Sequence, residues 1–382
     1  SRMPSAAPGN VPRVAGRLPS ALAVLRITDR DEWNDLVQRL PGCDLRNGYE
    51  WGAMRAEQGW QAERLAVVEH GECLAACTVQ SRRVGPIGAV LYAPRGPLFV
   101  DAAALAALVA EVKARASRAV FLRISPAIPE ADATARGDLA RLGFVALPET
   151  WTPWNAPRHV QVLDIQPPEQ ELLSGLRRRY RRYVANVGRK GLVVERGDSD
   201  AALVAFYGLM VELSRVKRFP IRDLGYFRSL HRRYAEGDRA IMLVARTHGD
   251  VVGALLGFRF GSRAYIHYSS VRSGLPDAVK HGVAPALFWD FIRRAKAAGC
   301  AAVDFGSSGV TRPPDEDHPN HGVYAFKAGL GARLEAYLPY HDLVFRRGTY
   351  AAFRFGETRA VPALFAAMAR RPALTRLLRR VV

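Results

Sequence analysis

AIMLVARTHGDVVGALLGF, residues 240–258, decides the fold, since it holds two apolar runs around a His248-Gly249-Asp250 turn. Apolar runs of this length joined by a glycine-containing turn predict a β-hairpin. Residues 65–79, LAVVEHGECLAACTV, repeat the pattern around His70-Gly71-Glu72. The recurrence of one strand-turn-strand unit in both halves of the chain suggests a duplicated domain.

Outward from the two hairpins, apolar strands alternate with amphipathic helices. In the first half, we expect a helix over residues 102–116 and a strand over 120–124. In the second half, a basic helix over residues 172–188 precedes the hairpin, and a helix over 284–298 follows it. This order predicts an α/β (α+β) fold class.

The length of 382 residues favours two domains over one. Four prolines between residues 153 and 168 mark the crossing between them. We expect a disordered tail at residues 1–20, an N-terminal domain at 21–160, a C-terminal domain at 161–348, and a basic amphipathic helical extension at 349–382. The extension carries leucine, phenylalanine and methionine between arginines, so it could rest on an anionic membrane, dock on the domain or touch nucleic acid.

The composition is strongly basic, with 55 Lys and Arg against 36 Asp and Glu and a net charge of +19. An excess of this size indicates a polyanionic partner, either a nucleic acid or an anionic membrane surface. The alternative is an arginine-rich composition that covers the surface without any such partner.

The four cysteines, Cys43, Cys73, Cys77 and Cys300, are too scattered for a disulfide scaffold or a zinc site. No apolar run reaches the length of a transmembrane helix. Residues 1–20 lack the apolar core of a signal peptide. We therefore expect a cytoplasmic protein.

Four segments together resemble a known enzyme family. They are residues 49–60 (YEWGAMRAEQGW), residues 92–97 (YAPRGP), the basic stretch 176–191 that begins LRRRYRR, and Asp304-Phe305-Gly306 followed by residues 322–331 (GVYAFKAGLG). In content and order they are similar to the Fem-type (FemABX) peptidyltransferases. The resemblance implies two tandem GNAT-like acyltransferase domains spanning residues 30–345.

The resemblance also implies an activity, namely transfer of an aminoacyl group from charged tRNA to an amine acceptor. It implies no cofactor beyond aminoacyl-tRNA as co-substrate, and an acceptor that could be nucleotide- or lipid-linked. Two departures stand out. Ser307-Ser308 replaces the glycine expected after Gly306, which leaves the acceptor open, and the chain has no heptad insertion, so it lacks a coiled-coil arm.

Phe326 and Lys327 are the predicted catalytic pair. The resemblance places the lysine in the active cleft. Attack of an amine on an ester creates an oxyanion, which a fixed cation stabilises. The alternative is a surface lysine on a turn, but the flanking glycines and the adjacent aromatic favour the functional interpretation.

Arg222 and Tyr226 are predicted to hold the phosphates of the acceptor, as the resemblance implies. On a helix, residues four apart share one face, and a guanidinium fork matches a diphosphate. Arg218 competes for this role. The alternative is a solvated helix end.

Further acceptor-binding candidates are Arg55 in the first domain, Tyr92 and Tyr268 at strand ends, and Asp304, which could orient a substrate amine. For Tyr92, Tyr268 and Arg55 a structural role is the competing interpretation, with each tyrosine a core aromatic whose hydroxyl is hydrogen-bonded.

The densest basic run predicts tRNA contact. No acidic residue occurs in residues 172–194, so a helix there repels itself unless it meets phosphates or solvent. The alternative is an ordinary solvated helix. The candidate tRNA-binding residues are Arg177, Arg178, Arg181, Arg182, Arg189 and Lys190.

A metal site is not expected. The acidic and histidine residues of 315–321 lie in a proline-rich stretch without regular spacing, which favours a flexible loop over the cleft. No Ser-His-Asp or Cys-His set is apparent, so we expect direct transfer without an acyl-enzyme.

Two rival functions remain open. One is an acyl-CoA-dependent GNAT N-acyltransferase, although Lys280-His281-Gly282-Val283-Ala284 carries only one glycine of the loop that would hold the CoA pyrophosphate. The other is a non-enzymatic RNA-binding protein, which would leave the 92–97 and 322–331 segments unexplained.

Overall fold

The computed structural model describes residues 22–116, 118–149, 154, 156–188, 191–217 and 219–360. Several predictions fall outside this part of the chain. They are the tail at 1–20, the tRNA-binding residues Arg189 and Lys190, the acceptor candidate Arg218, and residues 361–382 of the C-terminal extension.

Strands form two sheets. In chain order they are β1 Ala23–Arg26, β2 Gln61–Glu69, β3 Glu72–Val84, β4 Gly88–Arg95, β5 Leu98–Phe99, β6 Ala119–Pro126, β7 Val145–Ala146, β8 His159–Asp164, β9 Leu192–Arg196, β10 Ala240–Thr247, β11 Asp250–Phe260, β12 Arg263–Val271, β13 Ala302–Asp304, β14 Arg333–Ala336 and β15 His341–Val344. Both predicted hairpins are present, as β2–β3 and β10–β11.

Helices cover both sheets. They are α1 Arg30–Val37, α2 Tyr49–Ala56, α3 Ala102–Arg115, α4 Ala133–Arg141, α5 Glu169–Gly175, α6 Arg178–Ala185, α7 Asp200–Lys217, α8 Leu224–Ala235, α9 Asp277–Ala297, α10 His321–Ala328 and α11 Arg347–Phe355. Aspartate side chains accept hydrogen bonds from the first free N–H groups of four of them, at Asp29, Asp101, Asp132 and Asp223. Such caps fix where a helix starts.

The two sheets share one strand order. The first runs β1-β2-β3-β4-β6-β15-β7, with β5 beside β3, and the second runs β9-β10-β11-β12-β13-β8-β14. In each sheet four antiparallel strands lead to one parallel pair, β4–β6 or β12–β13, and two antiparallel strands follow. The duplication suggested by the hairpins therefore extends to the whole sheet.

The halves exchange a strand in each direction. β8 directly follows β7 in the chain but lies in the second sheet, and β15 lies in the first. The sequence-based division placed residues 341–344 in the C-terminal domain. Instead, β15 pairs with β6 from His341↔Ile124 to Val344↔Phe121. Local patterns could not reveal this, because the pairing partners lie far apart in the chain.

A shared core joins the two halves. The first half contributes Trp33 and Trp51, which are buried in the same cluster as Phe206, Phe227 and Phe258 of the second half. Separate cores lie on the outer faces, around α3 and around α9. Because apolar packing crosses the boundary, side chains on either side of the cleft between the halves are held at fixed distances.

The predicted basic helix over 172–188 is two helices, α5 and α6, separated at Leu176-Arg177. Tyr180 on α6 is buried against the second core. Gly329 makes this approach feasible, since a Cβ there would lie 2.6 Å from the Tyr180 ring.

The start of the C-terminal extension docks on the first half. Arg123 of β6 donates two hydrogen bonds of 2.7 Å to Asp342 and also pairs with Glu357 in the π-helical turn Gly356–Ala360 after α11. All three side chains are buried. None of the described helices is long and apolar enough to cross a bilayer.

Candidate active site

The second sheet opens between its two parallel strands. β12 and β13 pair from Arg263↔Ala302 to Tyr265↔Asp304. β13 ends there, whereas β12 continues to Val271. Beyond Asp304 the strands part and leave a wedge-shaped space between them.

A bulge in β12 lies at this opening. Ile266 pairs with Gly257 and Tyr268 pairs with Leu256, so His267 is the extra residue of β12. A bulge bends its strand and frees a backbone group from the ladder. The sheet therefore presents unpaired backbone where the space begins.

The wedge is a cavity of about 490 Å³. A volume of this size suits a small-molecule site. Its walls come from β12, the loop after β13, helices α7 to α10 and the loop before α8. The lining residues are Met210, Phe219, Pro220, Ile221, Arg222, Phe227, Ile266, His267, Tyr268, Ser269, Phe288, Phe305, Gly306, Ser307, Val323 and Lys327.

Lys327 lies at the inner end of this cavity. It is the last charged residue of α10 and is 8% exposed. Its Nζ donates to the carbonyl oxygens of Gly306 at 3.1 Å and Ser307 at 2.9 Å. Burial lowers the pKa of the Lys327 ammonium to about 8, and Asp304 opposes this change. At neutral pH the side chain is therefore a fixed, poorly hydrated cation.

Asp304 shapes the loop that receives Lys327. Its Oδ1 accepts a hydrogen bond of 2.6 Å from the Gly306 N–H, and Gly306 has a φ of +71° that favours glycine. Burial raises the pKa of the Asp304 carboxyl. Asp304 is absent from the cavity lining described above. Its observed contacts are thus with the loop and with the charge of Lys327, and the predicted contact with a substrate amine stays a prediction.

Phe326 does not line the cavity in the described structure. Its ring packs against Tyr180 of α6, at 5.6 Å between centroids, and against Phe288 of α9, at 4.9 Å. These contacts orient α10 so that the next residue, Lys327, faces the cavity. Phe326 thus packs between α6 and α9, and its predicted catalytic role stays a prediction.

Arg222 and Tyr226 come together, although not as one helix face. Asp223 caps α8, so Arg222 lies in the loop before the helix. Its guanidinium carbon lies 5.7 Å from the centre of the Tyr226 ring. The Tyr226 hydroxyl lies 3.4 Å from that of Tyr268, which lines the cavity. These three residues form the polar end of the cavity, to which Arg222 and Tyr268 contribute lining side chains.

Arg55 reaches this polar end from the first half. Burial lowers its pKa to about 10, and Arg222 and Arg82 lower it further, whereas Tyr92 and Tyr226 oppose the shift. Arg55 itself donates to Gln58 Oε1 at 2.6 Å and lies over the Trp60 ring at 4.9 Å. Its charge and that of Arg222 repel each other, and an anion near both would offset this repulsion.

Tyr92 has a structural role. It is buried, its hydroxyl lies 3.1 Å from Ser125 Oγ, and its ring packs on Trp154 at 4.7 Å. This matches the core-aromatic interpretation raised from the sequence. Tyr268, by contrast, lines the cavity.

His267 is a cavity residue that the sequence did not single out. Burial lowers its pKa to about 3, so the imidazole is neutral at physiological pH. Its ring packs edge-on to Trp51, at 6.0 Å, and to Phe258. The feature that marks His267 is the bulge in β12. It is defined by the register between β11 and β12, which the sequence alone does not predict.

The basic helix α6 packs directly against the element that carries Lys327. The Arg177 N–H donates to the Gly329 carbonyl at 2.7 Å. Arg177, Arg178 and Arg182 are exposed. The Arg181 side chain donates to the carbonyl of Leu176 at 3.1 Å and so caps the C-terminal end of α5.

The loop 315–321 and its neighbours hold no metal cluster. Within the residues that the structure describes, no three His, Cys, Asp or Glu side chains lie close enough to bind an ion.

Comparisons with known proteins agree with this geometry. Residues 174–327 match a family model described as an acetyltransferase (GNAT) domain. The lipid II:glycine glycyltransferase of Staphylococcus aureus (strain USA300) is 24% identical, with 85% of this chain and 94% of that protein covered. The same protein from strain Mu50 / ATCC 700699 is 23% identical over the same shares.

Solved structures show the same fold. The crystal structure of FemX superposes with a TM-score of 0.78 at 22% identity and covers 86% of this chain and 99% of that chain. L-PGS from Bacillus licheniformis gives a TM-score of 0.50 at 13% identity, with 88% and 97% covered. The chain therefore has the doubled GNAT fold of FemX and is similar in sequence to a lipid II:glycine glycyltransferase over most of its length.

Proposed function

We propose that the protein moves an aminoacyl group from charged tRNA to an amine acceptor and forms an amide bond by direct transfer. The observation that carries the proposal is the position of Lys327, a buried cation at the point where β12 and β13 part. Relatives named as glycyltransferases perform the same class of reaction.

The reaction follows from the chemistry of the cavity. The neutral acceptor amine attacks the ester carbonyl, a C–N bond forms, and the carbonyl oxygen becomes an oxyanion that Lys327 stabilises. The C–O bond to the terminal ribose then breaks, and the ribose oxygen takes up a proton. The acceptor nitrogen loses its proton to solvent or to the substrate itself. No acyl-enzyme is required.

The acceptor is proposed to bear phosphate. Arg222 lines the cavity beside Tyr226, and its charge influences that of Arg55 in the first half. Guanidinium groups suit phosphate because they donate two parallel hydrogen bonds. A peptidoglycan precursor has this chemistry, and lipid II is the acceptor in the name of the Staphylococcus aureus relative. A peptide-like metabolite remains the other acceptor class.

The tRNA contact is proposed for α6. The exposed arginines Arg177, Arg178 and Arg182 project from the helix that packs on α10. A phosphate backbone bound there would bring the charged 3′ end toward Lys327. We place the reaction in the cytoplasm, where charged tRNA occurs. Peripheral membrane contact through residues 361–382 stays a prediction.

Acyl-CoA is the rival donor, because residues 174–327 match an acetyltransferase (GNAT) domain model. Lys280-His281-Gly282-Val283-Ala284 lies inside α9, which starts at Asp277. Beyond the first turn the backbone N–H groups of a helix are already bonded and cannot hold a pyrophosphate. This stretch therefore offers no loop for CoA.

Donor use separates the two hypotheses. The protein is incubated with charged tRNA pools or acyl-CoA, with and without acceptors, and product is measured before and after RNase treatment. Aminoacyl transfer predicts product that requires charged tRNA and disappears with RNase. RNase-resistant product from acyl-CoA would contradict it.

A further inference from the structure

The walls beside Lys327 are apolar. Ile266, Phe288 and Phe305 line this end of the cavity, and the Phe288 and Phe305 rings lie 5.6 Å apart. Met210 and Phe227 extend the apolar wall toward the centre. Among the lining residues that the structure describes, none is Asp or Glu.

The cavity also has polar lining residues besides Lys327, namely Arg222, His267, Tyr268, Ser269 and Ser307. Lys327 binds the carbonyls of Gly306 and Ser307, which directly follow Phe305 in the chain. Phe305 precedes Gly306 and its ring packs on Phe288, so an acyl group bound at Lys327 Nζ would share the cavity with both rings.

We infer that this wall selects donors whose aminoacyl side chain is large and apolar, such as leucyl, methionyl or phenylalanyl, over glycyl, seryl and acidic donors. The inference rests on the proposed function and names its donor class. A glycyl group would leave the wall facing water, whereas a leucyl or phenylalanyl side chain would cover it.

We expect a large difference in kcat/KM between apolar and glycyl donors. One methylene in an apolar pocket changes kcat/KM by about 10- to 200-fold. A leucyl group adds several carbons to a glycyl group, so we expect a preference of at least ~100-fold. An acidic side chain would lose its hydration without gaining a partner and is expected to be rejected more strongly.

The test is transfer from individually prepared leucyl-, phenylalanyl-, glycyl- and aspartyl-tRNA to one acceptor, measured as kcat/KM. Preference for the apolar donors supports the inference. Equal or faster transfer of glycine overturns it while leaving aminoacyl transfer intact. Absence of product from every charged tRNA, with product from acyl-CoA, overturns the proposed function itself.

A matched pair of variants locates the selectivity. Phe288 and Phe291 both lie on α9 in the same buried core, but only Phe288 lines the cavity. Phe288→Leu is expected to lower the phenylalanyl-to-glycyl ratio about tenfold, whereas Phe291→Leu leaves it unchanged. The ratio of two donors is independent of the folded fraction, so loss of stability cannot imitate this result. An unchanged ratio in Phe288→Leu would contradict the assignment.

Discussion

The two halves share a strand order but differ at their parallel pairs. In the first sheet β4 and β6 pair from Ala89↔Ala119 through Arg95↔Pro126, to the ends of both strands. In the second, the pairing of β12 with β13 stops at Tyr265↔Asp304, and the cavity begins there. The same architecture thus gives a closed half and an open half.

At the end of the β4–β6 pairing the closed half holds buried charged side chains, whereas the open half has a cavity beside its parallel pair. Arg95 is 1% exposed, donates to the Pro157 carbonyl at 2.6 Å, and lies 3.5 Å from Asp44. Burial alone would raise the pKa of Asp44, but Arg46 and Arg95 hold it below its usual value. The first half therefore holds paired buried charges near its parallel strands, whereas the second half has a cavity beside its own pair.

Replacement of Lys327, the buried cation of the open half, should have the largest effect on the rate of transfer. Lys327→Ala is expected to lower kcat by about 10²- to 10³-fold, because the oxyanion loses its stabilising charge, while tRNA binding remains. The measurement is single-turnover transfer together with a tRNA-binding assay.

Lys296→Ala is the matched control. Lys296 also donates to two successive carbonyls, those of Ile165 at 2.8 Å and Gln166 at 3.0 Å, but it lies away from the cavity. Lys296→Ala should leave kcat within about threefold of the value of the unmodified protein, as expected of a residue away from the reacting groups. Equal losses in both variants would remove Lys327 from catalysis.

Disruption of the closed half should reduce stability and spare the chemistry. Arg123→Met leaves the buried carboxylate of Asp342 without its cationic partner and should lower the free energy of unfolding by about 3–5 kcal/mol. Arg293→Met removes an exposed pair with Glu169 and should cost under about 1 kcal/mol. Denaturant unfolding measures both. A lower kcat per folded molecule in Arg123→Met would contradict the assignment of a purely structural role to this buried ion pair.

The polar end of the cavity should govern acceptor binding. Arg222→Gln and Arg55→Gln should each raise the acceptor KM by about tenfold, as expected for loss of one charge-assisted contact, with a smaller change in kcat. Arg39→Gln, an exposed arginine on the first half, serves as control. Steady-state kinetics with a diphosphate-linked acceptor and its phosphate-free analogue separates the effects. Equal KM values for both acceptors would argue against a phosphate site.

The basic helix should set the salt dependence of tRNA binding. Arg178→Gln with Arg182→Gln removes two exposed charges, so the slope of log K against log salt should fall by about 1 to 2. Arg39→Gln with Arg118→Gln changes the net charge equally at other exposed sites. Filter binding at several salt concentrations gives the slope. If the two double variants match, α6 is not the contact.

The pH profile should show the smallest effect. Lys327 is cationic below its pKa of about 8, so transfer should decline as the pH rises through 8. Asp304→Asn removes the carboxylate that opposes the lowered pKa, and the decline should therefore move to lower pH by a fraction of a unit. A decline that is unmoved in Asp304→Asn and persists in Lys327→Ala would assign it to another group.

Sequence alone supplied the parts that depend on local pattern. The hairpins at 65–79 and 240–258 follow from apolar runs and turns, and the resemblance of residues 322–331 singled out Lys327, which lines the cavity; its catalytic role stays a prediction. It did not reveal that Phe326 packs away from the cavity, that His267 is bulged, or that β15 joins the first sheet. Each of these depends on contacts with residues distant in the chain.

A structure of the complex with a stable 3′-aminoacylamino-adenosine tests most directly whether the opened second sheet holds the acyl group. We predict the acyl carbonyl oxygen within hydrogen-bonding distance of Lys327 Nζ, with the side chain against Phe288 and Phe305. An acyl group bound beside the paired strands β4 and β6, or outside the space between β12 and β13, would contradict the assignment of catalysis to the open half.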